Sequence, residues 1–112
     1  MSGVPLAQCL DLYSKKEKVE GFQCDTCKEN TTALIKPLVS HLPDILILHL
    51  SRFNFQLGYL EKIEDLVTFP LKNLDMTKYV IQGGRTGGSY DLFGVVNHHM
   101  YRAGGGHYTA SV

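Results

Sequence analysis

Tyr90-Asp91-Leu92-Phe93-Gly94-Val95-Val96-Asn97-His98, followed after a turn by His107-Tyr108-Thr109-Ala110, decides what kind of fold this chain adopts. In the first run Phe93, Val95 and Asn97 alternate against Leu92, Gly94 and Val96, the two-residue period of a strand. Residues 100–106 close in a glycine run, and residues 107–112 begin a second strand. Outward from this pair, Ile45-Leu46-Ile47-Leu48-His49-Leu50 is nearly continuous aliphatic, the pattern of a strand covered on both faces. Residues 31–39 are strand-like, with Pro37 confining them to an edge or forcing a bulge. Residues 66–69 form a short strand stopped by Pro70, after a loop at residues 56–59 that contains Gly58. At the other end Leu6, Cys9, Leu10 and Tyr13 fall on one helical face, which predicts a short helix over residues 5–13 with Cys9 on its buried side. The fold class is α+β, mostly antiparallel β with a short N-terminal helix.

The chain has 112 residues, 44% apolar and 20% charged, enough for one small soluble domain. Such a chain buries only about two thirds of its unfolded surface, so a partner is a natural expectation. No apolar run approaches the ~20 residues of a membrane span. Met1-Ser2-Gly3-Val4-Pro5 has no basic region followed by an apolar core, so no secretory signal is expected. Eleven Lys and Arg balance eleven Asp and Glu, and the balance holds in both halves. Nucleic-acid and anionic-membrane binding usually leave a basic excess, and none is present. Eight of the eleven glycines follow Gln82, and residues 83–89 read as a flexible linker.

Three cysteines cannot complete a disulfide framework, and two of them form the pair Cys24-x-x-Cys27. With the missing signal this points to a reducing compartment, the cytosol or nucleus. The pair has three readings. As half of a structural zinc site it supplies two thiolates to one tetrahedral ion, with two more ligands still to be found. As a turn it does nothing. As a redox pair it needs a helix N-terminus, and Lys28-Glu29-Asn30 starts a helix poorly.

Gly104-Gly105-Gly106-His107-Tyr108 is the second constellation. Glycines let a loop approach a bound chain closely, and a histidine at the first position of a strand is fixed on one side and open on the other. Those are the needs of a general base that meets a nucleophile and a substrate. By residue type alone, a surface histidine is the commoner outcome. His98 and His99 share the hairpin, so a small metal site is conceivable there. His41 and His49 lie in or beside strand patterns and read as structural histidines.

These residues, taken in order, resemble the ubiquitin-specific protease family of cysteine deubiquitinases over essentially the whole chain. The matching pieces are Leu6-Ala7-Gln8-Cys9-Leu10, then Cys24-Asp25-Thr26-Cys27, then Leu42-Pro43-Asp44-Ile45 through Ser51-Arg52-Phe53. They continue with Lys62-Ile63, with Val67-Thr68-Phe69-Pro70, and with the stretch from Tyr90 through Gly106-His107-Tyr108. The resemblance implies the palm and fingers of a papain-like, hand-shaped domain that grips ubiquitin, residues 1–112 being part of it. It implies that His107 is the base for a cysteine nucleophile outside these residues. Cys24 and Cys27 match the second of two cysteine pairs that bind zinc at the fingertips. Residues 54–60 and 99–106 match two loops that close over the ubiquitin tail, which makes Asn54, Gln56, Tyr59, His99, Tyr101, Gly105 and Gly106 substrate-binding candidates, and Tyr108 of the His box is another. Cys9 matches a helix position that is not the nucleophile.

The family's Cys box, first zinc pair and final Asp or Asn have no counterpart in residues 1–112. Ser51 replaces the commoner Lys, Met100 the usual Gly, and Ser111 the usual aromatic. The resemblance therefore implies part of a thiol-dependent ubiquitin hydrolase, with ubiquitin, ubiquitinated proteins and a complementary segment carrying the Cys box as partners. The isolated chain is expected to be inactive. A non-catalytic ubiquitin-binding module of the same fold is the alternative, and an independent zinc ribbon a third.

Overall fold

In the computed structural model, which describes residues 3–85, 88–99 and 106–112, Leu6, Cys9 and Leu10 lie half-buried on one side of helix α1 (Leu6–Tyr13). Pro5 stands one position before the first turn, at the helix cap, and belongs to the two-residue strand β1 (Val4–Pro5). Ser14 ends the helix by donating its hydroxyl to the Leu10 carbonyl at 2.9 Å. The helix is pinned by a 3-10 turn at Thr77–Tyr79. There the Tyr79 hydroxyl donates to the Asp11 carboxylate at 2.8 Å, and Lys78 Nζ reaches the same oxygen at 2.7 Å.

The rest is strand. Antiparallel pairs join β2 (Glu17–Gln23) to β3 (Asn30–Ile35), β5 (Phe53–Gln56) to β6 (Tyr59–Lys62), β8 (Leu74–Asp75) to β10 (Ser89–Tyr90), and β11 (Val95–His99) to β12 (His107–Ser111). Parallel pairs join β1 to β7 (Val67–Thr68) and β4 (Val39–His41) to β9 (Val80–Arg85). Among the described residues the sheets are all two-stranded. The α+β class and the short N-terminal helix agree with the sequence.

Several element boundaries differ. The polar residues 17–23 form β2, because the turn at residues 24–29 folds them back onto β3. The strand expected at residues 31–39 stops at Ile35, ahead of Pro37, and β4 starts afresh at Val39. The glycine-rich residues 83–85 continue β9 rather than linking elements. Residues 91–94 leave the strand pattern. The Asp91 carboxylate accepts the Asn73 amide at 3.0 Å, and the Leu92 amide donates to Leu71 at 2.9 Å. Asn73 is held there at φ 58°.

The largest correction concerns residues 45–50, which form no strand. Ile45 is 64% exposed and Ile47 85% exposed. Among the described residues no strand pairs with this segment, so its amides find no ladder, and most of its side chains stay exposed while Leu46 packs on the core.

The core is correspondingly small. Leu42, Met76 and Tyr79 are buried, and Leu10, Val39, Leu46, Leu74, Val80 and Tyr90 pack around them. The accessible surface is 9516 Å², whereas a compact monomer of this mass exposes only about 6,200 Å². The radius of gyration is 18.0 Å, against about 13 Å for a compact domain of this length.

Candidate active site

The β11–β12 hairpin sets up the candidate catalytic residue. Its register pairs His99 with His107, His98 with Tyr108 and Asn97 with Thr109. Strand alternation sends these to two faces. One carries Asn97, His99, His107 and Thr109, and the other His98 and Tyr108. His107 occupies the first position of β12 with its imidazole exposed, as the sequence predicts. Its ring centroid is 6.3 Å from that of His99, and His99 Nε2 lies 3.0 Å from the Thr109 hydroxyl. His98 and His99 therefore lie on opposite faces, and of the hairpin's three histidines only His99 and His107 share one.

On the opposite face the His98 ring is wedged between Phe53, edge-on at 5.8 Å, and Tyr108 at 4.7 Å. Gly106 presses against it so closely that a Cβ there would collide with His98 Nε2. A side chain at the position before His107 would therefore have to displace a neighbouring ring. Tyr108 itself is 68% exposed.

The second expected loop is a tight hairpin. Phe53 pairs with Lys62, Asn54 with Glu61 and Gln56 with Tyr59. Leu57 at φ 51° and Gly58 at φ 80° make the two-residue turn, whose left-handed pair matches the twist of the strands. Phe53 and Lys62 both reach the other hairpin, Phe53 through the His98 ring and Lys62 by donating to the His98 carbonyl at 2.8 Å. Asn54 is half-buried, while Gln56 and Tyr59 are exposed at the tip. Among the described residues no hydrogen bond or ring contact joins these three to His107. Tyr101 and Gly105 lie outside the described residues. The roles of Lys62 and His98 are not legible in the sequence, because a lysine–carbonyl bond has no residue-type signature and His98 depends on register.

Cys24 and Cys27 sit in the turn that closes the β2–β3 hairpin. The Cys24 amide donates to Glu29 at 3.0 Å, and the Lys28 amide donates back to Cys24 at 2.7 Å with Lys28 at φ 59°. The amides of Cys27 and Thr26, together with the Cys27 side chain, hold the Cys24 thiol below its ordinary pKa. A sulfur surrounded by donated amides suits a metal-bound thiolate, so the donor chemistry fits half of a zinc site. Among the described residues no cluster of three or more His, Cys, Asp or Glu completes it. Cys9 is half-buried on α1, and all three cysteines are free thiols. His41 and His49 are exposed, so the expectation of structural, satisfied histidines fails for both. Among the described residues no helix is long and apolar enough to cross a membrane.

Comparison with known proteins identifies the family. The family profile described as ubiquitin carboxyl-terminal hydrolase matches residues 11–112. Ubiquitin carboxyl-terminal hydrolase 12 of Saccharomyces cerevisiae is 41% identical over 113 residues, covering 97% of this chain and 9% of its own length. Ubiquitin carboxyl-terminal hydrolase 19 of Homo sapiens is 42% identical over 110 residues, covering 94% of this chain and 8% of its own. Ubiquitin carboxyl-terminal hydrolase 15 of Homo sapiens is 37% identical over 110 residues, covering 96% of this chain and 11% of its own. The chain thus spans about a tenth of the length of the relatives it matches. A profile match over residues 11–112 and identities of this size make the chain a member of the ubiquitin carboxyl-terminal hydrolase family.

Proposed function

We propose that this chain supplies the general base and part of the ubiquitin-gripping surface of a thiol-dependent deubiquitinase. The observation that carries the reading is the exposed imidazole of His107 at the start of β12, next to a glycine whose Cβ position is taken up by the His98 ring. His107 takes the proton of a cysteine supplied by a complementary segment. The thiolate attacks the carbonyl of ubiquitin's terminal glycine, forming a thioester and breaking the bond to the lysine amine. His107 returns the proton to that amine, and water activated by the same imidazole cleaves the thioester.

Asn54, Gln56 and Tyr59 on one hairpin and His99, Gly106 and Tyr108 on the other hold the ubiquitin tail, together with Tyr101 and Gly105. The bond from Lys62 to the His98 carbonyl supports this pairing of hairpins. Cys24 and Cys27 hold two positions of a structural zinc, which would cross-link the finger hairpin. The complementary segment covers the exposed residues 45–50 and completes a hand-shaped, papain-like domain. The excess of accessible surface supports such a partner. Three cysteines, too few to complete a disulfide framework, fit a reducing compartment, cytoplasmic or nuclear.

The test is turnover of a fluorogenic ubiquitin substrate by the complete domain. His107→Ala is expected to lower turnover by at least about 10²–10⁴-fold, the usual contribution of a general base, with ubiquitin affinity largely kept. Cys9→Ser, on the helix face, is expected to leave turnover in place. Full turnover in His107→Ala, or its loss in a folded Cys9→Ser, overturns the assignment. A complete domain that binds ubiquitin without any turnover identifies the non-catalytic binding module instead.

A further inference from the structure

We propose that the face of the β11–β12 hairpin carrying His99 and His107 is a binding site for an imidazole-preferring dication, Zn²⁺ or Cu²⁺. The two histidines are directly opposite in antiparallel register, and both are exposed. Directly opposed residues place their Cβ atoms about 4.5–5.5 Å apart on one face. The ring centroids lie 6.3 Å apart, with the ring planes inclined at 35°. An ion about 2.0–2.1 Å from one nitrogen of each ring brings the centroids to roughly 5–6.5 Å over coordination angles from tetrahedral to linear. The observed separation already lies in that interval.

The surroundings favour nitrogen-seeking ions. Thr109 Oγ1 lies 3.0 Å from His99 Nε2. When Nε2–H donates to that hydroxyl, Nδ1 keeps its lone pair, the arrangement found in metal-ligating histidines whose other nitrogen is held by an outer partner. Asn97, opposite Thr109 and half-buried, adds a neutral carbonyl oxygen to the same face. The face has no carboxylate at Asn97, His99, His107 or Thr109, which disfavours Mg²⁺ and Ca²⁺ and leaves ions that prefer imidazole. This site is separate from Cys24 and Cys27, which close a different hairpin. Its consequence rests on the assignment of His107 as base: a bound ion occupies the lone pair that must take the thiol proton, so the metal is a reversible inhibitor.

Zn²⁺ titration of the protein carrying Cys24→Ser and Cys27→Ser, read by calorimetry and by histidine ring NMR shifts, tests the proposal. One ion per chain is expected, with shifts confined to His99 and His107. His99→Gln is expected to weaken binding by at least about tenfold, since even outer-shell partners contribute that much to metal affinity. His41→Gln, at an exposed histidine on β4, is expected to keep it. No uptake, unchanged affinity in His99→Gln, or loss in a folded His41→Gln overturns the site. Binding is read without turnover, so failure of the base assignment would leave the site intact. Failure of binding would leave the turnover test of His107 untouched.

Discussion

Lys62 Nζ donates a 2.8 Å hydrogen bond to the His98 carbonyl, and Phe53, opposite Lys62 in its hairpin, meets the His98 ring edge-on. One residue thus joins the two hairpins that frame the candidate active site, through its backbone on one side and its ring on the other. The ring also sets how closely Gly106 can approach, and with it the position of His107.

A Cβ at position 106 must displace that ring. Gly106→Ala is therefore expected to destabilise the hairpin by about 1–3 kcal/mol, the usual cost of overpacking. His98→Ala removes the obstacle, so the double variant should recover part of the loss. The expected coupling is about 0.5–3 kcal/mol, as for residues in contact. Urea unfolding of the four proteins measures it, and additive effects would show that the contact does not govern the turn.

Zinc retention separates the knuckle from an inert turn. Two thiolates fill half a tetrahedron, so the chain alone should bind zinc far more weakly than a complete site worth about 10–16 kcal/mol. Pairing with the segment that carries the other cysteines should restore tight binding, and Cys24→Ser or Cys27→Ser should abolish it. Stoichiometric zinc kept by the isolated chain after mild chelation would contradict this.

Acid should weaken the fold through three carboxylates. Asp11 is held below its ordinary pKa by Lys78 and then Tyr79, Asp75 by the Thr77 hydroxyl and amide, and Asp91 by the Asn73 amide and then the Lys72 charge. A depressed folded pKa means that the unfolded chain binds protons more readily. The stabilisation is therefore complete above the ordinary carboxylate range and is lost as pH falls through the lower folded values. The urea midpoint should fall between pH 6 and pH 3, and less steeply in Asp91→Asn. All three groups are exposed, so added salt should reduce the contribution from Lys78 and Lys72. A midpoint that does not change across this range would rule the carboxylates out.

The hairpins and the helix were legible in the sequence because their signals are local. Val95-Val96-Asn97 alternates, Gly104-Gly105-Gly106 turns, and Leu6, Cys9 and Leu10 repeat at helical spacing. The α+β class followed from them. Residues 45–50 misled for a physical reason: an aliphatic run reports what a segment needs, namely cover on two faces, and not whether the cover is present. Lys62, Asp91 and the His98 wedge were illegible because each depends on contacts distant in sequence. His107 was legible as a candidate only through its neighbours in order, since a lone histidine after glycines has no distinguishing chemistry.

The uncovered aliphatic run has a consequence for behaviour in solution. With Ile47 at 85% exposed and Ile45 at 64%, the isolated chain should associate with its complementary segment or with itself. Ile47→Lys should reduce self-association without lowering the unfolding midpoint, because the side chain touches no core residue. Sedimentation at several concentrations tests both statements. A monodisperse, cooperatively unfolding monomer at high concentration would show that the small core around Met76 suffices.

Tyr59 and Gln56 offer the cleanest separation of binding from chemistry. Both stand exposed at the tip of a tight hairpin, Tyr59 at 77%, and neither contacts His107 among the described residues. A side chain that grips ubiquitin's tail equally before and during reaction contributes to KM and leaves kcat nearly unchanged. An exposed aromatic that becomes buried at an interface commonly contributes more than about 1–2 kcal/mol, so Tyr59→Ala should raise KM about tenfold. Gln56→Ala, which loses a hydrogen bond and less area, should raise it by less. Leu57 and Gly58 keep the turn in place, so neither truncation should change the fold. The check is steady-state kinetics of the complete domain on a ubiquitin substrate and on a short peptide ending in the same two glycines. A fall in kcat with unchanged KM would place Tyr59 in the chemical step, and no effect on either constant would remove this hairpin from the ubiquitin surface.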